Sequence, residues 1–206
     1  MFGVEERVAV VNVGNVVPVP VRSAVPASHA WAFDTVHSSI QFSVRRLLLA
    51  RVRGQFTKWR GSMTYDPARP EAAKVSVRID AASIETGDAD RDERLRSSDF
   101  LDVARAPAMT FESVKVAVVD ERHLELVGVL TIRGVTQAVV LSAELQDSVR
   151  DHWGNEHLRV AAKTILRRSD FGLTWEDSMP AGEWFLGEDV EISIAIEATR
   201  LPAPRG

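Results

Sequence analysis

The segment from Thr86 to Asp102, TGDADRDERLRSSDFLD, gathers nine charged side chains into seventeen residues. Asp88-x-Asp90-x-Asp92 has the alternate-residue spacing of oxygen ligands that opens a calcium-binding loop. Such a loop turns on glycine at its sixth position and closes with a bidentate glutamate at its twelfth. Glu93 and Asp99 stand there instead, and Arg91 and Arg94 interrupt the run. The alternative is a short helix near residues 88–98. Asp90 followed by Glu93 has the spacing of a capping box, and Asp90 with Arg94 and Asp92 with Arg96 have the spacing of favourable surface pairs. Leu95, Phe100 and Leu101 give this segment an apolar side that needs something to cover.

Other candidate chemistry is sparser. Asp170-Phe171-Gly172 has the form of a kinase magnesium motif, but no glycine-rich phosphate loop accompanies it. His152 and His157 are five residues apart around Trp153-Gly154, a spacing that suits a turn better than a metal-binding face. His37 and Ser38 are adjacent on a strand pattern, where successive side chains point to opposite faces, so the imidazole does not activate the hydroxyl. Asp34, His37, Asp99 and Asp170 remain the acids and bases from which an enzyme acting on a lipid-like substrate would draw. Arg45, Arg46, Arg51, Arg53, Lys58 and Arg60 form a basic run without an acid. It reads either as an anion-binding surface or, since Arg51 and Arg53 alternate with Val52 and Gly54, as the solvated face of a strand.

The chain has 206 residues, a net charge of −4 and no cysteine. That balance offers no global positive field to nucleic acid, and it excludes disulfides and thiolate metal sites. Residues 1–28 read as an extended arm, because Glu5 and Glu6 precede the valine-rich stretch where a signal peptide carries positive charge, and Pro18 and Pro20 interrupt it. The expectation is a cytoplasmic protein without a transmembrane segment. Export is the alternative, if residues 1–30 act as a degenerate signal.

From Trp31 onward the apolar period is two, which is the mark of half-buried strands. Phe42 and Val44, Val75 to Ile79, Leu124 to Ile132 and Val139 to Leu145 all alternate in this way. Arg133-Gly134 reads as a hairpin turn. About eight or nine antiparallel strands follow from the count. Alternation alone fits a barrel or a sandwich, and glycines inside strands at Gly54 and Gly128 favour the barrel, whose walls need bends. The domain is expected over residues 29–200, with 201–206 as a tail. In such a barrel Phe42, Phe56, Val77, Phe111, Leu126 and Leu130 face inward as apolar walls. The irregular loop near 169–188, with Phe171, Trp175 and Trp184, plugs one end or lines a portal.

The chain resembles the YceI-like family of lipocalin-like, polyisoprenoid-binding proteins. Trp31-x-x-Asp34-x-x-His37-Ser38, Val52-x-Gly54-x-Phe56, the segment from Arg91 to Asp102, Leu130 to Thr136, Asp151-x-Trp153-Gly154 and Arg168 to Gly172 carry the resemblance, in order, from Trp31 to Thr199. It implies an extended eight-stranded antiparallel β-barrel with a helical insertion, enclosing a long apolar pocket for an isoprenoid or similar amphiphile such as a quinone or a polyprenyl phosphate. It also implies frequent pairing into homodimers, and no cofactor beyond the bound lipid. Arg46 and Arg94 stand where members often carry histidine, which makes them head-group candidates together with His37. The expected role is non-enzymatic binding, transport or storage. A lipid-directed enzyme and a filled barrel that acts only through protein contacts are the alternatives. Leu95 and Phe100 would then form a flap over the barrel mouth.

Overall fold

The computed structural model of the chain describes residues 29–46, 50–174 and 186–202. Its strands are β1 (Ala30–Arg46), β2 (Ala50–Phe56), β3 (Trp59–Thr64), β4 (Lys74–Asp80), β5 (Ile84–Glu85), β6 (Ala108–Val118), β7 (His123–Ile132), β8 (Val135–Arg150), β9 (Glu156–Arg167) and β10 (Leu186–Arg200), with one helix, α1 (Ala89–Arg96), after β5. Strands β1, β3, β4, β6, β7, β8, β9 and β10 form a closed antiparallel circuit of eight, sealed where β10 pairs with β1. Strand β3 pairs with the start of β1 and β2 with its end, so β2 and β3 are two halves of one bent strand. The same holds for β4 and β5, separated by a 3₁₀ turn at Ala81–Ser83. Ten segments therefore make an eight-stranded barrel.

Why this chain closes is visible where aromatic rings meet glycine. A Cβ placed on Gly54 would lie 2.4 Å from the Phe42 ring, one on Gly128 2.4 Å from Phe111, and one on Gly61 2.7 Å from Phe33. In each case the ring covers a neighbouring strand at the point where that strand has no side chain, which lets the sheet curve tightly around it. The β7–β8 hairpin turns on Arg133 and Gly134, with φ of +51° and +78°. This is the left-handed pair that a two-residue connection requires.

Two apolar clusters build the interior. One cluster joins Phe111, Val116, Leu124, Leu126, Val139, Leu141 and Ala143 in the middle, and a second joins Trp31, Met63, Leu158, Ile196 and Ala198 at the lower end. Trp31 Nε1 donates to the Tyr65 carbonyl at 3.1 Å, so the indole is buried with its polar edge satisfied. Burial of each large apolar side chain contributes about 1.5–3 kcal/mol. Among the described residues no helix is long and apolar enough to cross a membrane.

The circuit has one weak place. Among the described residues strand β5 pairs only with β2, so above Asp80 the wall between β5 and β6 lacks a ladder. Helix α1 lies beside this free edge. Arg96 donates to the carbonyls of Ala82 and Ile84, both at 2.7 Å. Thr86 donates its backbone N–H (3.0 Å) and its hydroxyl to Asp92, which is only 6% exposed. Side chains of the helix thus satisfy backbone groups that a neighbouring strand would otherwise meet.

This corrects the expected capping box at Asp90 and the expected Asp92–Arg96 pair. Its N-cap is Asp88, whose carboxylate accepts the Arg91 N–H at 3.1 Å, and Asp90 sits in the first turn. Asp92 and Arg96 turn to β5 and not to each other. An isolated pair on a wet surface contributes only a few tenths of a kcal/mol, whereas an unsatisfied backbone group at a partly buried strand edge costs about 1–3 kcal/mol.

Candidate functional site

Inward-facing residues of β1 (Phe42, Val44), β2 (Val52, Phe56), β6 (Met109), β7 (Ile132), β9 (Leu166) and β10 (Val190, Ile192) surround a cavity of about 360 Å³ at the upper end. Ile84, Leu95, Phe100 and Leu101 close it on the side where the wall lacks a ladder, and Phe171 and Leu173 cover it after β9. Fifteen of its twenty lining residues are apolar, and the other five are charged: Asp88, Asp90, Arg91, Arg94 and Arg168. Four of these five belong to α1 and its cap, so polarity is concentrated along one rim. The rings of Phe42 and Phe56 stand 5.7 Å apart at 43°, a tilted aromatic pair on the wall.

Three arginines hold the rim together. Arg168 is 5% exposed and donates Nε to the Gly187 carbonyl (3.2 Å) and Nη1 to the Leu173 carbonyl (2.6 Å). Its Nη2 pairs with Glu188 at 2.7 Å. Arg133, at the β7–β8 turn, donates to the carbonyls of Gly172 (3.1 Å) and Ser98 (2.8 Å), joining the segment after β9 to the segment after α1. Arg91 donates to the Thr86 hydroxyl (2.8 Å) and carbonyl (3.0 Å) and pairs with Asp88 at 3.4 Å.

Of the residues expected on the pocket wall, Phe42, Phe56, Leu95, Phe100 and Phe171 come together here, with Arg94 on the rim. Val77, Phe111, Leu126 and Leu130 lie lower, in or against the packed middle cluster. They face inward as their alternation requires, Phe111 and Leu126 buried and Val77 and Leu130 half-buried. Trp175 and Trp184 lie outside the described residues, as does the side chain of Arg46, which ends β1. Val44, Val52, Met109, Ile132, Val190 and Ile192 were missed, although each continues the inward phase of its strand. Arg168 was missed as a lining residue for the same reason. Two residues past Leu166, it holds a charge in the inward phase of β9.

His37 is set apart from this cavity. It sits where the β1–β10 register shifts between Asp34 and Ser39, with 66% of its side chain exposed. Its Nδ1–H donates to Asp34 at 2.8 Å. The bulge turns the His37 ring to solvent, so it does not reach the mouth. The hydrogen bond from His37 holds the Asp34 carboxyl below its ordinary range, helped by the Val36 N–H, and the bond to Asp34 raises the imidazole. The sign follows for each group. The Asp34 contribution is complete above its unfolded value near 3.9 and is lost as pH falls through the lower folded value. The His37 contribution is complete below about 6.5 and is lost as pH rises through the higher folded value. In an NMR pH titration the His37 ring therefore titrates above its ordinary value in the wild-type chain, and Asp34→Asn returns it toward 6.5.

Among the described residues the wall carries no histidine, serine, threonine, tyrosine or lysine. Asp34, His37, Asp99 and Asp170 are all absent from the lining, so the acids and bases that an enzyme would recruit do not converge on it. Among the described residues no group of three or more acidic or histidine side chains is placed to hold a metal ion. In the basic run, Arg51 is engaged on the outer face with Ser43 (3.2 Å) and Glu191. What this geometry can do is enclose an apolar group and leave a polar end at the rim.

Residues 31–198 match the family model of the YceI-like domain. The chain belongs to the YceI-like family. A UPF0312 protein of Ectopseudomonas mendocina is 35% identical over 177 residues, covering 86% of this chain and 90% of its own. One of Azotobacter vinelandii is 34% identical over 180 residues, covering 84% and 91%. Among solved structures, the YCEI protein of Campylobacter jejuni superposes with a TM-score of 0.67 at 28% identity, covering 77% of this chain and 90% of that one. BcnA of Burkholderia cenocepacia gives 0.71 at 21% identity, covering 80% and 98%. A polyisoprenoid-binding domain from Saccharophagus degradans, implicated in plant cell wall breakdown, gives 0.61 at 14% identity, covering 84% and 98%. At these last two identities the likeness is one of fold.

The YceI-like motifs now have physical assignments in this chain. Arg91, Asp92 and Arg96 bind the backbone around β5, Leu95, Phe100 and Leu101 face the cavity, and Gly134 completes the turn that places Arg133. Gly172, at φ +69°, ends the turn that buries Arg168 and Phe171. Much of the YceI-like pattern therefore lies at the upper end of the barrel.

Proposed function

We propose that this YceI-like protein binds an isoprenoid or similarly apolar amphiphile in the upper barrel, as a carrier or sequestering protein without catalysis. One observation carries the reading: a partly open cavity lined by fifteen apolar residues, with four of its five charged residues on α1 and its cap. The polyisoprenoid-binding domain of Saccharophagus degradans, similar in fold, supplies the ligand class. The rim favours a polar but uncharged head such as a quinone over a phosphate. Asp88 and Asp90 alternate there with Arg91 and Arg94, and Arg168 is already committed to two carbonyls and Glu188. A dianion would meet carboxylates as well as guanidinium groups, and the like charges oppose it. Arg94 lies on the same rim.

Organic extraction of the purified protein followed by mass spectrometry tests this reading. The expected result is a prenyl-type lipid near one per chain, chemically unchanged after incubation with the protein. A lipid that is converted on incubation would replace the carrier with an enzyme. Failure to recover a lipid, and failure of the lipid-free protein to take one up, would leave the filled barrel.

A further inference from the structure

The outer face of the bent strand formed by β2 and β3, with its neighbours, holds charge in an arrangement that the fold does not need. Strand positions that carry Phe42, Val44, Val52 and Phe56 to the cavity alternate with Arg45, Arg51 and Arg53, which are exposed on the outside of the same wall. Arg45 stands directly opposite Arg51 across β1 and β2, and Arg60 directly opposite Arg78 across β3 and β4. Like charges that face each other across a ladder destabilise a sheet. Lys58, also exposed, lies between the two pairs along the bent strand. Of the acids on β1 to β5, Asp34 binds His37, Asp80 accepts the Ala82 N–H and Glu85 accepts from Gln55, while Glu191 of β10 pairs with Arg51. Among the described residues no carboxylate pairs with Arg53, Lys58, Arg60 or Arg78. A chain with a net charge of −4 thus keeps a local basic face.

We infer that this face docks the protein on an anionic lipid bilayer, with phosphate-bearing head groups as its partner. An ordinary protein interface centres on aromatic or aliphatic anchors. Among the described residues, the exposed large apolar side chains, such as Val114, Trp153 and Ile165, all lie outside β2 to β5. Charge without such anchors suits a bilayer, where each basic side chain near the surface raises binding about fivefold. The face also adjoins the way into the cavity. Arg45 and Arg51 are chain neighbours of Val44 and Val52 on the cavity wall, and β2 borders β5, beside the gap in the ladder. The choice of a bilayer over another polyanion rests on the proposed carrier reading.

Co-sedimentation of the full chain with vesicles free of prenyl lipid tests the docking. Binding is expected to phosphatidylcholine vesicles containing about one-third phosphatidylglycerol but not to phosphatidylcholine alone, and it should weaken at least tenfold between about 0.05 and about 0.5 M salt. Arg60→Glu sets an acid opposite Arg78, so it should keep or raise the melting temperature while lowering vesicle binding at least tenfold. Arg53→Glu should lower binding to a similar extent. Lys163→Glu makes the same change in net charge at an exposed position of β9 and should alter binding less than threefold. No binding to the anionic vesicles, equal binding to both kinds, or equal loss from Arg60→Glu and Lys163→Glu would overturn the docking. A chain that ignores the vesicles but is retained by polyglutamate would also overturn it, by making the partner an acidic protein. Because the vesicles hold no prenyl ligand, each of these failures leaves the carrier reading standing, and a chain that yields no lipid on extraction can still dock.

Discussion

Arg168→Ala destabilises the protein by about 3 kcal/mol and lowers its melting temperature by about 6–12 °C. The guanidinium is buried, and its substitution strips hydrogen bonds from the Leu173 and Gly187 carbonyls at once. Bonds to a charged donor contribute about 1.5–3 kcal/mol each, and orphaned carbonyls add a desolvation cost. The Glu188 pair adds less, because that carboxylate is 43% exposed and screened by water. Lysine does not replace the arginine. A single ammonium cannot hold two carbonyls that approach opposite edges of a planar fork, so Arg168→Lys recovers less than half of the loss. Denaturant unfolding followed by circular dichroism measures both variants. A cost below about 1 kcal/mol for the alanine would show that water replaces the arginine without strain.

Asp92→Ala costs about 2–3 kcal/mol and acts first on one part of the molecule. Thr86 loses the acceptor for both its N–H and its hydroxyl, and the Arg91 side chain loses the arrangement that holds it against Thr86. An eight-residue helix has no stability of its own in water. Its place therefore depends on these bonds, on Arg96, and on the contacts of Leu95, Phe100 and Leu101. Hydrogen exchange of residues 86–98 should accelerate at least tenfold in the variant while β6 to β9 stay protected, because local opening is governed by local contacts. Equal acceleration across the whole barrel would mean that the helix is part of the global folding unit and not a separately opening cover.

How far the sequence speaks for itself differs along the chain. The alternation of Leu124 to Ile132 gives the β7 faces, and Arg133-Gly134 gives the turn, because side-chain period and left-handed φ are local properties. Closure is not local. It depends on Trp31 at one end of the chain meeting Arg200 at the other, and the same alternation serves an open sandwich. The charged segment was read correctly as a helix but incorrectly in its bonding. Asp88 and Asp90 are equally good caps by type, and the choice was made by a free strand edge that no pattern within the helix reveals. The pocket residues were half found for a related reason. Alternation says which side chains point inward, but whether Phe111 lines a void or fills it depends on what reaches it from the other strands.

The three phenylalanines seated on glycines have a consequence for how the bore of this barrel is controlled. Phe42 lies along the wall only because Gly54 offers it no obstruction, and Phe111 has the same relation to Gly128. A methyl group at Gly54 would meet the Phe42 ring at 2.4 Å and the Glu85 carbonyl at 2.8 Å, and one at Gly128 the Phe111 ring at 2.4 Å and the Glu112 carbonyl at 2.6 Å, so both the ring and the neighbouring strand would have to give. The calibre of the channel is therefore written at positions that have no side chain, and a change in what the barrel admits can begin on a strand next to the one whose residue finally blocks the way.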